Sequence, residues 1–189
     1  MKNILCFIYQ KFVDFESVFT CSYLNESEEY KLVYISYDKS PVISSGGLTI
    51  IPDKIVSEIS NTNNISGLII PGGSERELKP ELKQLIQKLN KEKKLVAAIC
   101  AGPEFLAKSG ILNGIKYTAS IEQNYYKEKN EVDPFPRDTY VETRMIRDSN
   151  IITAKGYAFI DFALEIWDYF NLFKNESERE EDKLLLTPV

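Results

Sequence analysis

The sequence contains no histidine. That absence removes every Cys-His or Ser-His catalytic pair and every histidine metal ligand from this chain and from any assembly of identical copies; only a different protein could supply one. Cysteine is scarce too. Cys6, Cys21 and Cys100 are the only three, an odd number at no metal-ligand or disulfide-framework spacing. No metal, cofactor or structural disulfide is expected. Positive charge is in deficit, with 23 Lys and Arg against 28 Asp and Glu and a net charge of −5. Nucleic acid and anionic membrane surfaces both reward clustered positive charge, so neither is expected as a partner. No apolar run approaches transmembrane length. The opening "MKNILCFIYQ" is too short an apolar stretch for a signal sequence, and no small-residue cleavage site follows. These absences lead to the expectation of a reduced, cytoplasmic protein whose thiols stay free.

What is present is a chain of 189 residues, 43% hydrophobic and 27% charged, enough for one domain with a real core. Short apolar runs alternate with helical patterns. "KNILCFIY", "YKLVYISYD", "ISGLIIPGG" and "KLVAAIC" read as buried strands. "VDFESVFTCSYLN" spaces Phe15, Val18, Phe19 and Tyr23 along one helical face with Asp14 as cap, and "KPELKQLIQKLNKEKK" is amphipathic through Leu82, Leu85, Ile86 and Leu89. "SPVISSGGLTIIPD" predicts a hairpin, "KIVSEIS" a short helix and "GPEFLAKSGIL" a helix with Pro103 in its first turn. "IKYTAS" reads as a short strand, "TYVETRMIRDSNIITAKG" as two strands meeting at Asp148-Ser149-Asn150, and "FIDFALEIWDYFNLF" as a closing helix. Residues 1–174 are taken as one domain. The mixed-charge tail 175–189 is expected to be loosely ordered or docked on the surface. Alternation of this kind predicts an α/β fold, a largely parallel sheet with helices on both faces and ligands outside the carboxyl ends of its strands.

Two loops fall at such ends, Pro71-Gly72-Gly73 and Cys100-Ala101-Gly102. Cys100 can be read as the last residue of a buried strand, since free cysteine is often core. The other reading places it on a strand-to-helix elbow, where the N-terminus of the next helix favours the thiolate. The glycine pair by itself reads as an ordinary loop after a strand. Glu16 is either a first-turn acid favoured by the helix dipole or a carboxyl in an apolar setting whose pKa rises. Spacing alone does not bring it to Cys100. Cys6 and Cys21, within a strand and a helix, read as structural. The 11 tyrosines and 10 phenylalanines read as core and interface material.

"AAICAGP", preceded by "DFE" and "LIIPGG" and followed by "IITAKGYAFIDFALEI", resembles the ThiJ/PfpI superfamily from about Lys2 to Phe170. The resemblance implies the class I glutamine amidotransferase-like, flavodoxin-like fold, a three-layer sandwich, and a homodimer. It also implies that Cys100 is the nucleophilic or oxidisable cysteine, and that Glu16 is the buried acid hydrogen-bonded to its sulfur. By the same resemblance, Gly73 and Ala101 supply the two backbone N–H donors of an oxyanion site. The chain departs from the pattern where many relatives carry histidine: Ala101 directly follows the cysteine, and Ser120 occupies the other slot. Gly156-Tyr157 stands where relatives often have Gly-Pro. Serine is no base near neutral pH, so glutaminase and peptidase chemistry is not expected. The expected activity is a cofactor-independent, cysteine-based hydrolase or lyase of glyoxalase or deglycase type, with a small reactive carbonyl as substrate. The alternatives are a non-enzymatic sensor whose Cys100 meets an oxidant, and a binding module that keeps the pocket without the chemistry.

Overall fold

The computed structural model describes residues 1–186. Its frame is a seven-stranded sheet built from β1 (Lys2–Phe7), β2 (Tyr30–Ser36), β5 (Lys54–Ile55), β6 (Ile65–Ile70), β7 (Leu95–Ile99), β8 (Met145–Asp148) and β9 (Ile151–Ala154). The spatial order is β5-β2-β1-β6-β7-β9-β8. Every pairing is parallel except that of β8 with β9 at one edge. A two-stranded hairpin, β3 (Val42–Ile43) with β4 (Thr49–Ile50), stands apart from the sheet. Central strands sandwiched by helices have no solvent face, and β7 is accordingly apolar and inaccessible at all five positions. The helices are α1 (Phe15–Glu26), α2 (Pro80–Lys91), α3 (Pro103–Lys108), α4 (Asn124–Glu128), α5 (Phe159–Tyr169) and α6 (Glu176–Leu186). From β1 the chain builds outward to β2 and then crosses to the other side of β1 to lay down β6. Such reversals of strand order open a crevice at the carboxyl ends.

The expected hairpin, the strand pair around Ser149 and the closing helix are all present. Elsewhere the structure differs. "KIVSEIS" is not an α-helix: Lys54 and Ile55 pair with β2, and only Val56–Glu58 coil, as a single 3₁₀ turn. "IKYTAS" forms no strand beyond one bridge between Tyr117 and Tyr140. Its backbone is held by side chains instead, Lys116 N–H by Asp148 and Thr118 N–H by Thr153 Oγ1. The strand before Ser149 starts at Met145, and α3 stops at Lys108. Over 176–186 the tail forms α6, docked on the surface through Arg179, which reaches Glu165 and Asp168 on α5. Its last three residues lie outside the described residues.

Helix α1 turns a different face to the sheet than its aromatic spacing predicts. Glu16, Ser17, Thr20, Cys21 and Leu24 are the buried positions, whereas Phe15 and Val18 are exposed. Phe19 and Tyr23 lie against Trp167 of α5, with ring centroids 5.5 and 4.5 Å away, so they serve helix–helix packing. The sheet-facing side is thus polar and carries an acid inward. Asp14 fixes where this helix begins. Its carboxylate accepts from Phe15 N–H at 2.8 Å and from Gly46 N–H at 3.0 Å, and also from Ser44 Oγ, tying the hairpin to the helix start. Asp14→Ala is expected to lower stability by about 1–2 kcal/mol, as for other lost caps. Asp14→Asn, which keeps an acceptor, is expected to lose less. Urea denaturation measures both, and an Asp14→Ala midpoint equal to wild type would contradict this role.

Candidate functional site

Three adjacent strands end beside one another, and each delivers part of the site. β6 leads into Pro71-Gly72-Gly73, β7 into Cys100, and β9 into Lys155-Gly156. Cys100 has a φ of 61°, in the left-handed region that a non-glycine residue enters only under constraint. Its N–H donates to Ala154 O at 2.9 Å, its carbonyl accepts from Ser120 N–H at 2.8 Å, and Gly102 N–H closes the turn onto Ile99 O at 2.8 Å. The residue therefore stands on a sharp elbow with its thiol partly exposed, unlike the buried Cys6 and Cys21.

Helix α1 brings Glu16 to this elbow from across the sheet. The side chain is 2% exposed. Oε2 accepts from Gly72 N–H at 2.7 Å, and the carboxyl is hydrogen-bonded to the Cys100 thiol. Two glycines wall the pair. A Cβ at Gly72 would lie 2.8 Å from Glu16 Oε2 and 3.0 Å from Cys100 Sγ, and one at Gly156 would lie 3.0 Å from both the sulfur and Oε1. No side chain fits at either position without driving the acid and the sulfur apart.

Burial dominates the electrostatics. It pushes the Glu16 carboxyl up to about 7, against the opposing hydrogen bonds from Gly72 and Cys100. It also pushes the Cys100 thiol up to about 11, with the negative charge of ionised Glu16 adding to the rise. Hydrogen bonds from the Ser120 hydroxyl and the Ala101 N–H act in the opposite direction without offsetting it. Against the expectation of a thiolate favoured by the helix end stand the burial that raises the thiol and the shortness of α3, which is six residues long.

The remaining expected residues lie close by. Ala101 N–H is directed at the sulfur. Gly73 forms a non-hydrogen-bonded antiparallel bridge with Phe12, and among the described residues its N–H has no acceptor. Ser120, in the slot where a histidine was sought, hydrogen-bonds Cys100 and accepts from Gly156 N–H at 3.0 Å. Sequence reasoning missed Arg76, Glu104 and Tyr125. Arg76 is hydrogen-bonded to Gly73 O and Glu104, and to Tyr125 OH at 3.1 Å. Lys108 holds the other Glu104 oxygen at 2.6 Å, and the two cations keep that carboxyl below its usual range although burial alone would raise it. The one signal for this pair was an acid in the first turn of a helix that must be buried. A cleft of about 380 Å³ opens over the elbow, lined by Cys100, Ala101, Arg76, Ser120 and Tyr125 among others. Among the described residues no group of three His, Cys, Asp or Glu side chains could hold a metal ion.

The DJ-1/PfpI family model matches residues 2–168. The chain belongs to the DJ-1/PfpI family. Among curated proteins it is 32% identical over 174 residues to the uncharacterized protease YdeA of Bacillus subtilis, covering 89% of this chain and 85% of that one. It is 30% identical over 122 residues to the deglycase PfpI of Pyrococcus furiosus, covering 63% and 72% respectively. Among solved structures, the DJ-1 superfamily protein Atu0886 of Agrobacterium tumefaciens superposes with a TM-score of 0.81 at 28% identity, covering 95% of each chain. The mostly parallel sheet with flanking helices is this family's flavodoxin-like α/β fold.

Two outcomes follow for this site. Limited alkylation with peptide mapping is expected to label Cys100 first, because Cys6 and Cys21 are 0% and 1% exposed; earlier labelling of either would contradict the geometry. The second concerns Glu16, whose carboxyl titrates near 7 when folded against an ordinary 4.5. The folded state then holds an extra proton between those values. Glu16 costs no stability below pH 4.5 and destabilises the fold progressively as pH rises toward 7. Glu16→Gln cannot ionise, so it is expected to gain on wild type across that window, by on the order of 3 kcal/mol above it. Urea melts below and above the window check this; a stability difference independent of pH would contradict it.

Proposed function

We propose that the protein is a cofactor-independent thiol enzyme that converts small reactive carbonyls, of glyoxalase or deglycase type. The feature that carries this reading is the hydrogen bond between buried Glu16, whose carboxyl burial pushes up to about 7, and the Cys100 thiol in a chain with no histidine. The sulfur adds to the aldehyde carbon of a dicarbonyl such as methylglyoxal. The S–C bond forms, the carbonyl electron pair moves to oxygen, and the thiol proton reaches that oxygen through Glu16. Gly73 and Ala101 N–H groups receive the developing charge. Glu16 then takes the proton from the former aldehyde carbon and delivers it to the neighbouring carbonyl carbon through an enediol, while the hydroxyl proton passes from the first oxygen to the second, leaving a thioester. Water releases the hydroxy acid and restores the thiol. The net change is dicarbonyl plus water to hydroxy acid, with no external oxidant or reductant.

A carboxyl near pKa 7 both accepts and returns a proton near neutrality. Amide hydrolysis also needs a base that activates water against the thioester while Glu16 is committed to the sulfur, and Ser120 in the other slot is no base near neutral pH. Relatives named as proteases therefore do not lead us to propose peptidase activity here. A second reading, a stress sensor in which peroxide oxidises Cys100 to a sulfinate held by protonated Glu16, is favoured by one observation: Cys100 is the only cysteine that is not fully buried. The working form is proposed to be a cytoplasmic homodimer. Exposed Phe15, Val18, Ile43 and Leu48 lie on α1 and on the hairpin that Asp14 ties to it, and a second copy would cover them.

Purified protein is expected to consume methylglyoxal, with Cys100→Ser abolishing turnover and Glu16→Gln lowering kcat about 100-fold or more. Ammonia release from glutamine and cleavage of peptides are expected to match the Cys100→Ser background. Methylglyoxal turnover that survives Cys100→Ser would sink the enzyme reading, and cysteine-dependent amide hydrolysis would reveal a base other than those named.

A further inference from the structure

Tyr125 lines the cleft over Cys100, and two cations hold its phenol oxygen. Arg76 Nη2 reaches that oxygen at 3.1 Å and Lys129 Nζ at 2.7 Å. A guanidinium and an ammonium have no lone pair to offer, so both donate, and together they occupy the acceptor side of the phenol oxygen. The phenol's own proton is left over. Among the described residues nothing accepts it: Glu122 and Glu128 line the same cleft, and neither takes a hydrogen bond from Tyr125. The bond from Lys129, with that from Arg76 behind it, holds the phenol below its ordinary 10.0 against the effect of burial.

The phenol and both its holders are fixed in place. The Arg76 side chain is 11% exposed, paired with Glu104 on α3 and bonded to Gly73 O. Lys129 ends α4 and also lies over the Tyr125 ring, 4.3 Å from its centroid. The ring packs edge-on against buried Tyr126, with centroids 5.0 Å apart. An acidified O–H is therefore presented to the cleft in a set position. The reaction proposed above has work for it. Glu16 serves the proton on carbon, but a hydroxyl proton must also pass from the first oxygen to the second, and no group has yet been named to carry it.

We propose that Tyr125 is a catalytic residue that carries this proton, its O–H donating to the second carbonyl oxygen of a dicarbonyl bound to Cys100. This rests on the carbonyl chemistry proposed above. As Glu16 removes the carbon-bound proton, the C–H electron pair becomes the C=C bond of the enediol. The π pair of the second carbonyl moves to its oxygen, which takes the Tyr125 proton, and the two cations hold the phenolate. When the enediol collapses, the first oxygen's proton passes to the phenolate and its O–H pair restores the C=O. The C=C pair takes back the proton from Glu16. The phenol is regenerated, with no oxidant or reductant.

The test uses the full chain. Tyr125→Phe keeps the ring and removes only the hydroxyl. It is expected to lower kcat for methylglyoxal about 100-fold with little change in KM. Iodoacetamide alkylation of Cys100, which involves no carbonyl addition, is expected to stay within about twofold of wild type. Lys129→Met, which leaves one of the two cations, is expected to lose less kcat. An unchanged kcat in Tyr125→Phe would overturn the proposal. Equal losses in turnover and alkylation would mean a purely structural role and overturn it as well, and a raised KM with kcat intact would make Tyr125 a mere substrate anchor and do the same. If wild type does not turn over methylglyoxal, the enzyme reading fails separately. The donor role is then read from hemithioacetal equilibria at Cys100 by intact-protein mass spectrometry. Methylglyoxal has the second carbonyl and propionaldehyde lacks it. Weakening of the methylglyoxal adduct alone in Tyr125→Phe supports the proposal; an unchanged adduct, or equal weakening of both, overturns it. Should Tyr125→Phe not fold, Lys129→Met carries the same comparisons, a smaller loss supporting the proposal and no loss overturning it.

Discussion

A buried carboxyl group meets a partly exposed thiol in a space that leaves no room for a further Cβ. Glu16 is placed there by the polar face of α1, Cys100 by the elbow after β7, and Gly72 and Gly156 close around them with no volume left for a Cβ. Much of the surrounding architecture serves that contact. The reversal of strand order around β1 brings the start of α1 over the ends of β6 and β7. Asp14 fixes the first turn of α1, and so the depth at which Glu16 enters. The left-handed φ of Cys100 is the local strain that lifts the sulfur out of the strand. Such an arrangement costs stability at neutral pH, since a carboxyl held away from water resists ionisation. A stable fold would be reached more easily without it, which is why the pair reads as function.

Strands and their order of appearance were legible in the sequence because buried parallel strands are written as short apolar runs closed by glycine, proline or aspartate. Where a segment is shaped by a remote partner, the pattern fails. Lys54 and Ile55 join the sheet because β2 offers an edge, and "IKYTAS" stays irregular because Thr153 and Asp148 take its backbone donors. The aromatic stripe of α1 pointed toward α5, and the polar stripe of the same helix pointed toward the site.

For the site, the elbow and the glycines were visible as residues, and the meeting of Glu16 with Cys100 was available only through family resemblance. The two lie 84 positions apart, by the numbering, and their contact is decided by sheet order. The helix-end argument for a thiolate left out the desolvation that burial of the sulfur adds. The Arg76–Glu104 pair was invisible for a related reason: each residue, alone, looks like a solvated charge. Only packing shows that Glu104 is buried, that Arg76 is largely covered, and that Arg76 holds a backbone carbonyl of the Gly73 loop.

The central claim is that acid and thiol hold two protons below neutrality and that the carboxyl gives up the first. Infrared difference spectroscopy across a pH titration reads both groups in one sample. The account predicts that the protonated-carboxyl band assigned by its loss in Glu16→Gln disappears with a midpoint near 7, while the S–H stretch of Cys100 persists until the thiol titrates near 11. Loss of the carboxyl band near the ordinary 4.5, or loss of the S–H stretch before it, would contradict the account.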